Sequence, residues 1–319
     1  MQHRPVDPSE TIDSAPGITR IRRGGGWRFL APDGSTVRDV DERMRILALG
    51  IPPAWRRVWI NPDPEAPVQA TGIDAAGRKQ YRYHSAWREA RDEEKFAALP
   101  AFAAHLPRLR AVVRRALCSD DPWERARAAA VRLLDGFAIR VGSEDSAARG
   151  SFGATTLLNR HARIEGDAIR LCFFGKHGIR AELSARDAAL AAALAELKQA
   201  GPGGLFAMRS GVRVRAADVN QWIAELTEGT GTAKTFRTWR ACAVAAGMLS
   251  RGRRTSVKTL LAEVARQLGN TPAVCRKSYV APAFIDMAKA GRWIETVPAT
   301  PRSLRANERA SLAVLTGRA

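Results

Sequence analysis

Cysteine is scarce in this sequence. The four present (Cys118, Cys172, Cys242 and Cys275) lie far apart and make no CxxC pair, so neither a zinc site nor a disulfide framework is indicated. The five histidines (His3, His84, His105, His161 and His177) show no metal-ligand spacing, and no HExxH string occurs. A GxSxG elbow is absent. So is a Walker-type loop, since neither Gly24-Gly25-Gly26 nor Gly201–Gly204 is followed by Lys-Ser/Thr. No apolar run approaches the ~20 residues of a membrane-spanning helix, and Ala241–Leu249 is too short. The first ten residues hold no apolar core of the kind a signal peptide needs. These gaps leave the expectation of a soluble, cytoplasmic protein with reduced thiols and no membrane partner. They argue against ATP-driven, zinc-dependent and serine-nucleophile chemistry.

Acidic residues are also in deficit. Against 51 Lys+Arg stand 32 Asp+Glu, a net charge of +19 and a pI near 11.0. A surplus of that size points to a polyanionic partner. It is unevenly spread: residues 1–100 carry 16 basic and 14 acidic side chains, residues 101–319 carry 35 and 18. The main anion-binding surface is therefore expected in the C-terminal two thirds. Of the basic residues 43 are Arg. That ratio also follows from a GC-rich genome, so the argument rests on the net charge.

At 319 residues the chain is long enough for two domains. Residues 1–15 are polar and proline-rich and read as a flexible tail. Strand-like runs follow at Ile18–Arg22, Trp27–Leu30, Thr36-Val37, Arg57–Ile60, Val68–Ile73 and Arg78–His84, with turns at Gly24–Gly26, Pro32–Gly34 and Ala75–Gly77. The chain turns helical near Trp87, which puts a β-rich N-terminal domain at 16–91 and a mainly helical domain at 92–319. Helical patterns cover Lys95–Leu117, Trp123–Arg140, Ala185–Gln199, Asp218–Leu226, Thr235–Leu249, Ser256–Leu268 and Pro272–Tyr279. Gly247 and Gly269 read as stops, and Thr271 as an N-cap before Pro272. A β-meander at Ala162–Glu165, Ala168–Phe174 and Ile179–Leu183 interrupts them, turning at Gly166-Asp167 and Gly175–Gly178. The expected fold class is thus α+β: a small β-rich N-terminal domain plus a larger, mainly α-helical domain with a small β-meander.

What remains for chemistry is a set of cations and few tyrosines. Tyr81 and Tyr83 fall on one face of a strand at period two, with Gln80 and Arg82 on the other; packing of the small core is their plain reading. Tyr279 stands alone between the basic Arg276-Lys277 and Pro282, and such a residue is more often packed than reactive. Lys234 and Arg237, three apart, share a helix face that by itself reads as solvated. Arg140 closes an apolar helix pattern and needs an anionic partner, either a structural Glu144 or Asp145 or a ligand. Lys176 at a hairpin tip is ordinary turn solvation.

Taken together, these strings resemble the type IB DNA topoisomerases, in their compact poxvirus-like and bacterial branch. The resemblance runs from about Gly25 to about Pro282. It rests on five strings in order: Gly77–His84, Ala138–Gly142, Phe173–Gly178, Lys234–Trp239, and Leu268–Pro272 followed by Arg276–Tyr279. It implies a topoisomerase IB-like or tyrosine recombinase-like catalytic domain and an N-terminal domain that clamps duplex DNA. Carried over residue by residue, it implies Tyr279 as the attacking tyrosine, Arg140 and Arg237 as phosphate-binding arginines and Lys176 as the hairpin lysine. Asn270 stands where poxvirus and eukaryotic members have His, as it does in the bacterial branch. It can donate a hydrogen bond but carries no proton. Duplex contacts are implied for Lys79, Gln80, Tyr81, Tyr83, Lys234, Arg276 and Lys277. The resemblance further implies a monomer on duplex DNA, nucleoid-associated, with no cofactor, nucleotide or required metal.

The residue types suit that chemistry. In-line attack on a phosphodiester adds negative charge to the nonbridging oxygens, and fixed donors aimed at them lower that cost. Bidentate arginines suit this role. A tyrosine of ordinary pKa about 10 must lose its proton, which nearby cations favour, and the leaving 5′-oxygen needs a general acid. Two rivals share parts of the pattern. A tyrosine recombinase would carry His at the position of Lys234 and begin with helices rather than strands. A non-catalytic DNA-binding relative would be expected to lack at least one of Arg140, Lys176, Arg237 and Tyr279.

Overall fold

A computed structural model describes residues 12–199, 203–208, 210–252, 254–297, 299 and 302–318. The chain divides into two compact units, the first ending at Glu94 and the second beginning at Lys95.

The first unit is a five-stranded antiparallel sheet. Its strands are β1 (Ile18–Arg23), β2 (Gly26–Leu30), β3 (Arg56–Ile60), β4 (Val68–Ile73) and β5 (Lys79–Tyr83), in the order β2-β1-β3-β4-β5. One face buries Ile18, Phe29, Val58, Ile60 and Ala70 under Ile46 of α1 (Val40–Ala48), with Trp27 and Trp55 at the margin. The sequence pattern does not announce α1. Its apolar Val40, Met44 and Leu47 face outward, while the helix is started by Asp39, whose carboxylate accepts from the Glu42 N–H at 2.7 Å. Thr36 contributes only an isolated bridge to Leu30 rather than a strand. The first eleven positions of the expected tail lie outside the described residues. Residues 12–15 are not tail-like: Ile12–Ser14 forms one 3₁₀ turn, Asp13 pairs with Lys79 at 2.8 Å, and the Ala15 carbonyl accepts from Trp59 Nε1 at 2.9 Å. Helix α2 (Ser85–Ala97) runs through the division between the units.

The second unit is mainly helical: α3 (Leu99–Ala116), α4 (Pro122–Phe137), α5 (Glu144–Ala148), α6 (Ala188–Gln199), α7 (Ala216–Leu226), α8 (Ala233–Leu249), α9 (Val257–Leu268), α10 (Pro272–Ser278), α11 (Pro282–Lys289) and α12 (Ala306–Leu315). Between α5 and α6 lies an antiparallel meander of β6 (Ala162–Glu165), β7 (Ala168–Phe174) and β8 (Arg180–Arg186). Helix α8 is buried nearly all round, which marks it as the central element. Phe102 meets Phe236 edge-to-face at 5.2 Å. The run Ala128-Ala129-Ala130 in α4 is fully buried, and its small side chains let neighbouring helices pack close.

Several boundaries differ from the sequence expectation for identifiable reasons. A single helix over Lys95–Leu117 does not form; the chain breaks at Ala98, because Pro100 falls in the first turn of α3 and cannot continue a preceding helix. Helix α4 stops at Phe137, where Ala138 takes a left-handed conformation (φ 51°), so Arg140 sits on an extended segment rather than a helix end. Strand β8 continues to Arg186, and the Asp187 carboxylate then accepts from the Leu190 N–H at the start of α6. Gly247 does not end α8; a Cβ there would come within 3.2 Å of Asn307 Cβ, so the glycine makes room for α12.

The segment carrying Arg140 is fixed by a close backbone crossing. The Arg140 and Val141 carbonyls accept from the Ala154 and Thr155 N–H groups, each at 2.8 Å. A Cβ on Gly153 would lie 2.5 Å from both the Arg140 carbonyl oxygen and the Gly142 nitrogen. Gly153→Ala is therefore expected to destabilise the protein by about 2 kcal/mol, as overpacking does. Gly136→Ala, in open space on α4, is expected to stabilise by about 0.5 kcal/mol by removing chain entropy from the unfolded state. Thermal denaturation of the two variants beside the parent checks both signs.

Candidate active site

Four chain stretches supply the candidate residues, and each is positioned by local rules. Asn220 Oδ1 accepts from the Ala233 N–H at 2.9 Å, and Thr235 Oγ1 from the Thr232 N–H at 3.0 Å. These bonds satisfy orphan donors at the start of α8 and set the phase that turns Arg237 inward. Helix α9 ends at Gly269 in the left-handed region (φ 59°), and both Gly269 and Asn270 donate backbone N–H groups to the Ala265 carbonyl. Thr271 then caps α10, accepting from the Val274 N–H at 3.3 Å. Asn270 is thereby held in the short gap between two helix ends. Tyr279 follows α10 directly, its N–H and that of Val280 both donated to the Cys275 carbonyl at 3.0 Å, and Pro282 starts the next helix.

These stretches bring Arg140, Arg237, Asn270 and Tyr279 together. Arg237 is only 3% exposed. Its Nη1 donates to the Ala138 carbonyl and its Nη2 to the Leu268 carbonyl at 3.0 Å. Its guanidinium lies 5.2 Å from the centre of the Tyr279 ring, and its Nε finds no acceptor. Arg140 Nη2 donates to Asn270 Oδ1 at 2.6 Å. The Asn270 Nδ2 is buried without an acceptor among the described residues; the Cys275 thiol is its polar neighbour.

The charge balance is the unusual feature. A buried cation ordinarily has an anion beside it. Among the described residues Arg140 and Arg237 have only neutral partners, two carbonyls and one amide. The structural ion pair of Arg140 with Glu144 or Asp145 does not form; Glu144 lies 3.6 Å from Arg215 instead. Burial, then the charge of Arg237, holds the Arg140 guanidinium below its ordinary pKa, with Tyr279 partly opposing. For Tyr279, 9% exposed, burial pushes the phenol up. The charge and hydrogen bonding of Arg237, then Arg140 and Lys234, outweigh burial and leave the phenol below its ordinary value.

Lys176 is exposed at the tip between β7 and β8. The tip closes through Gly175 N–H to the Ile179 carbonyl at 2.8 Å, with His177 at φ 66°. Lys176 lines an open cleft of about 450 Å³ together with Arg140, Arg237 and Gly269. Lys234 is exposed in the first turn of α8, and Arg276 and Lys277 are exposed on α10, none paired with a carboxylate among the described residues. In the first unit the sequence places its other candidates on edge strand β5. Tyr81 and Tyr83 lie outside the small core, stacked at 6.0 Å, with Trp87 stacked on Tyr83 at 4.7 Å. Lys79 is paired with Asp13, and Gln80 Nε2 donates to Asp74 at 2.9 Å.

Sequence reasoning missed the groups that hold these side chains: the Ala138 and Leu268 carbonyls and the Gly142–Gly153 crossing. Backbone carbonyls have no residue signature, and only Gly269 hinted at where one of them ends a helix. Arg266 and Gln267, which line the same cleft, were missed for lack of any motif. His161 is a packed residue: it is buried between Phe152 and Phe173, its Nδ1 accepting from the Leu158 N–H. No cluster of metal-ligating side chains occurs among the described residues, and none of their helices is long and apolar enough to cross a membrane.

The chain is similar to known proteins over both units. Residues 84–290 match the family described as eukaryotic DNA topoisomerase I, catalytic core, and residues 26–74 match bacterial DNA topoisomerase IB, N-terminal domain. A DNA topoisomerase 1B of Acanthamoeba polyphaga mimivirus is 32% identical over 292 residues, covering 83% of this chain and 85% of the relative. Arg140, Lys176, Arg237, Asn270 and Tyr279 all fall within the catalytic-core match, which spans more than half the chain. The chain belongs to the type IB DNA topoisomerases.

Proposed function

We propose that this chain relaxes supercoiled duplex DNA with Tyr279 as the nucleophile. Tyr279 loses its phenol proton to water and its Oη attacks the scissile phosphorus; an Oη–P bond forms and the P–O5′ bond breaks, leaving a 3′-phosphotyrosyl link and, once the leaving oxygen is protonated, a free 5′-hydroxyl end. The free end rotates, supercoils relax, and the 5′-oxygen attacks in reverse to reseal the strand. The link conserves the phosphodiester energy, so the cycle consumes no ATP.

Arg140 and Arg237 bind the nonbridging oxygens and offset the charge that builds on them. The observation that carries this reading is their lack of a counter-ion: two half-buried and buried guanidinium groups beside a tyrosine, with neutral partners only. A phosphodiester supplies the missing anion. Asn270 orients Arg140 through its amide oxygen and offers its unpartnered Nδ2 to the same phosphate. Lys176 on the exposed hairpin gives its proton to the leaving 5′-oxygen. Lys79, Gln80, Tyr81 and Tyr83 on β5, with Lys234, Arg276 and Lys277, contact the duplex, and the N-terminal domain acts as one half of a clamp. The protein acts as a nucleoid-associated cytoplasmic monomer.

Relaxation of supercoiled plasmid in EDTA without ATP tests the whole cycle. Wild type is expected to relax it, while Tyr279→Phe binds DNA with unchanged affinity and forms no covalent adduct. Relaxation by Tyr279→Phe would mean that the nucleophile is another residue. Lys176→Ala is expected to slow cleavage of an ordinary strand by about 10²–10⁴-fold, the range of general-acid catalysis. A 5′-thiolate leaving group, which needs no proton, should restore it; failure of that rescue removes Lys176 from the acid role. A third expectation concerns pH. The surrounding cations hold Tyr279 below the ordinary tyrosine value, so single-turnover cleavage rises with pH and levels off below about pH 10. Lys234→Gln removes one of those cations and should move the midpoint upward.

A further inference from the structure

Helix α12 lies beyond residue 290, where the match to the family's catalytic core ends. It nevertheless packs on α8 at the glycine that makes room for it and carries a buried carboxylate with several donors. Glu308 is 3% exposed. Arg110 of α3 donates to both of its oxygens, at 3.0 and 2.6 Å. Trp239 Nε1 of α8 donates to Oε1 at 3.3 Å, and the Arg305 N–H to Oε2 at 2.9 Å.

The same arginine reaches the end of α4. Arg110 also donates to both oxygens of Asp135, at 3.0 and 2.8 Å, so its fork bridges two buried carboxylates. Asp135 stands one residue before Gly136, whose carbonyl accepts from Arg240 Nη2 at 2.6 Å. Two residues further, Ala138 accepts from Arg237, and two beyond that is Arg140. Arg237 and Arg240, three apart, present one face of α8 to this turn. The relative placement of Arg140 and Arg237 therefore depends on how α8 is seated against the last turn of α4. Glu308 contacts α8 directly through Trp239 and α4 through Arg110 and Asp135.

We infer that Glu308 is a positioning residue for cleavage: through Trp239 and the Arg110–Asp135 pair it sets the spacing of the two arginines that receive the phosphate. The inference rests on the reading of Arg140 and Arg237 given above. Displacement of a binding group by an ångström costs about 10²-fold in rate, whereas non-specific duplex affinity comes from many phosphate contacts and barely registers it. A merely structural role would lower stability and leave the rate of the folded protein intact.

The test uses the full-length protein, comparing Glu308→Gln, the charge-retaining Glu308→Asp, which draws the carboxylate back by one methylene, and Arg237→Ala. Single-turnover cleavage of a suicide duplex, duplex Kd at fixed salt and Tm are measured for each. The expected result is a Kd for Glu308→Gln within about threefold of wild type and cleavage about 100-fold slower. Glu308→Asp should hold Tm closer to wild type and still cleave more slowly than wild type. Wild-type cleavage by either folded Glu308 variant overturns the inference. Failure of both variants to fold also overturns it, in favour of a purely structural role. Cleavage retained by Arg237→Ala overturns the arginine reading itself, whereas cleavage lost there but kept by Glu308→Gln overturns the Glu308 inference alone.

Discussion

The second unit is organised around a guanidinium that has no anion of its own. Arg237 sits in the second turn of α8, a helix buried nearly all round, and spends donors on carbonyls that end two other helices, Ala138 after α4 and Leu268 at the close of α9. Those two carbonyls are the orphan acceptors that every helix terminus leaves behind, so one side chain satisfies both and ties three helices to one point. The arrangement leaves its positive charge uncompensated, with the Tyr279 ring centre 5.2 Å away. Burial and the neighbouring Arg140 charge make this pair of cations electrostatically unfavourable, a cost that the rest of the core supports. On the phosphate-binding reading proposed above, an arriving anion relieves that cost.

Much of this was legible in the residues and some was not, for physical reasons. Punctuation by Gly269, Thr271 and Pro272 fixes where Asn270 and Tyr279 fall, because left-handed glycine, a capping hydroxyl and N1 proline are local devices that need no tertiary context. The hairpin around Lys176 is equally local. Arg140 was misplaced on a helix end because nothing in Phe137-Ala138-Ile139 forbids helix. The turn there is imposed by Arg237 and Arg240 pulling on carbonyls from a helix about a hundred residues away. Gly247 was read as a stop although it is a contact, a distinction visible only once α12 is packed on it. Helix α1 escaped notice because it is only nine residues long and sends a single apolar side chain, Ile46, into the core.

The first unit follows a different logic. Tyr81 and Tyr83 alternate on edge strand β5 as the period-two pattern requires, yet they stay out of the small core and stack on each other and on Trp87. The core is instead made by Ile18, Phe29, Val58, Ile60 and Ala70, from strands that were readable in the sequence, together with Ile46 of α1. Lys79 and Gln80 are each already bonded to an aspartate, Asp13 and Asp74.

The bonds that build the site join positions far apart along the chain: Arg140 to Asn270 across 130 residues, Arg237 to Ala138 across 99. Contacts of that separation form late, after the loops between them have closed. A nascent or partly unfolded molecule therefore has Tyr279 without Arg140 and Arg237 beside it. On the Tyr279 reading proposed above, the capacity to cut a strand arrives only with the complete fold.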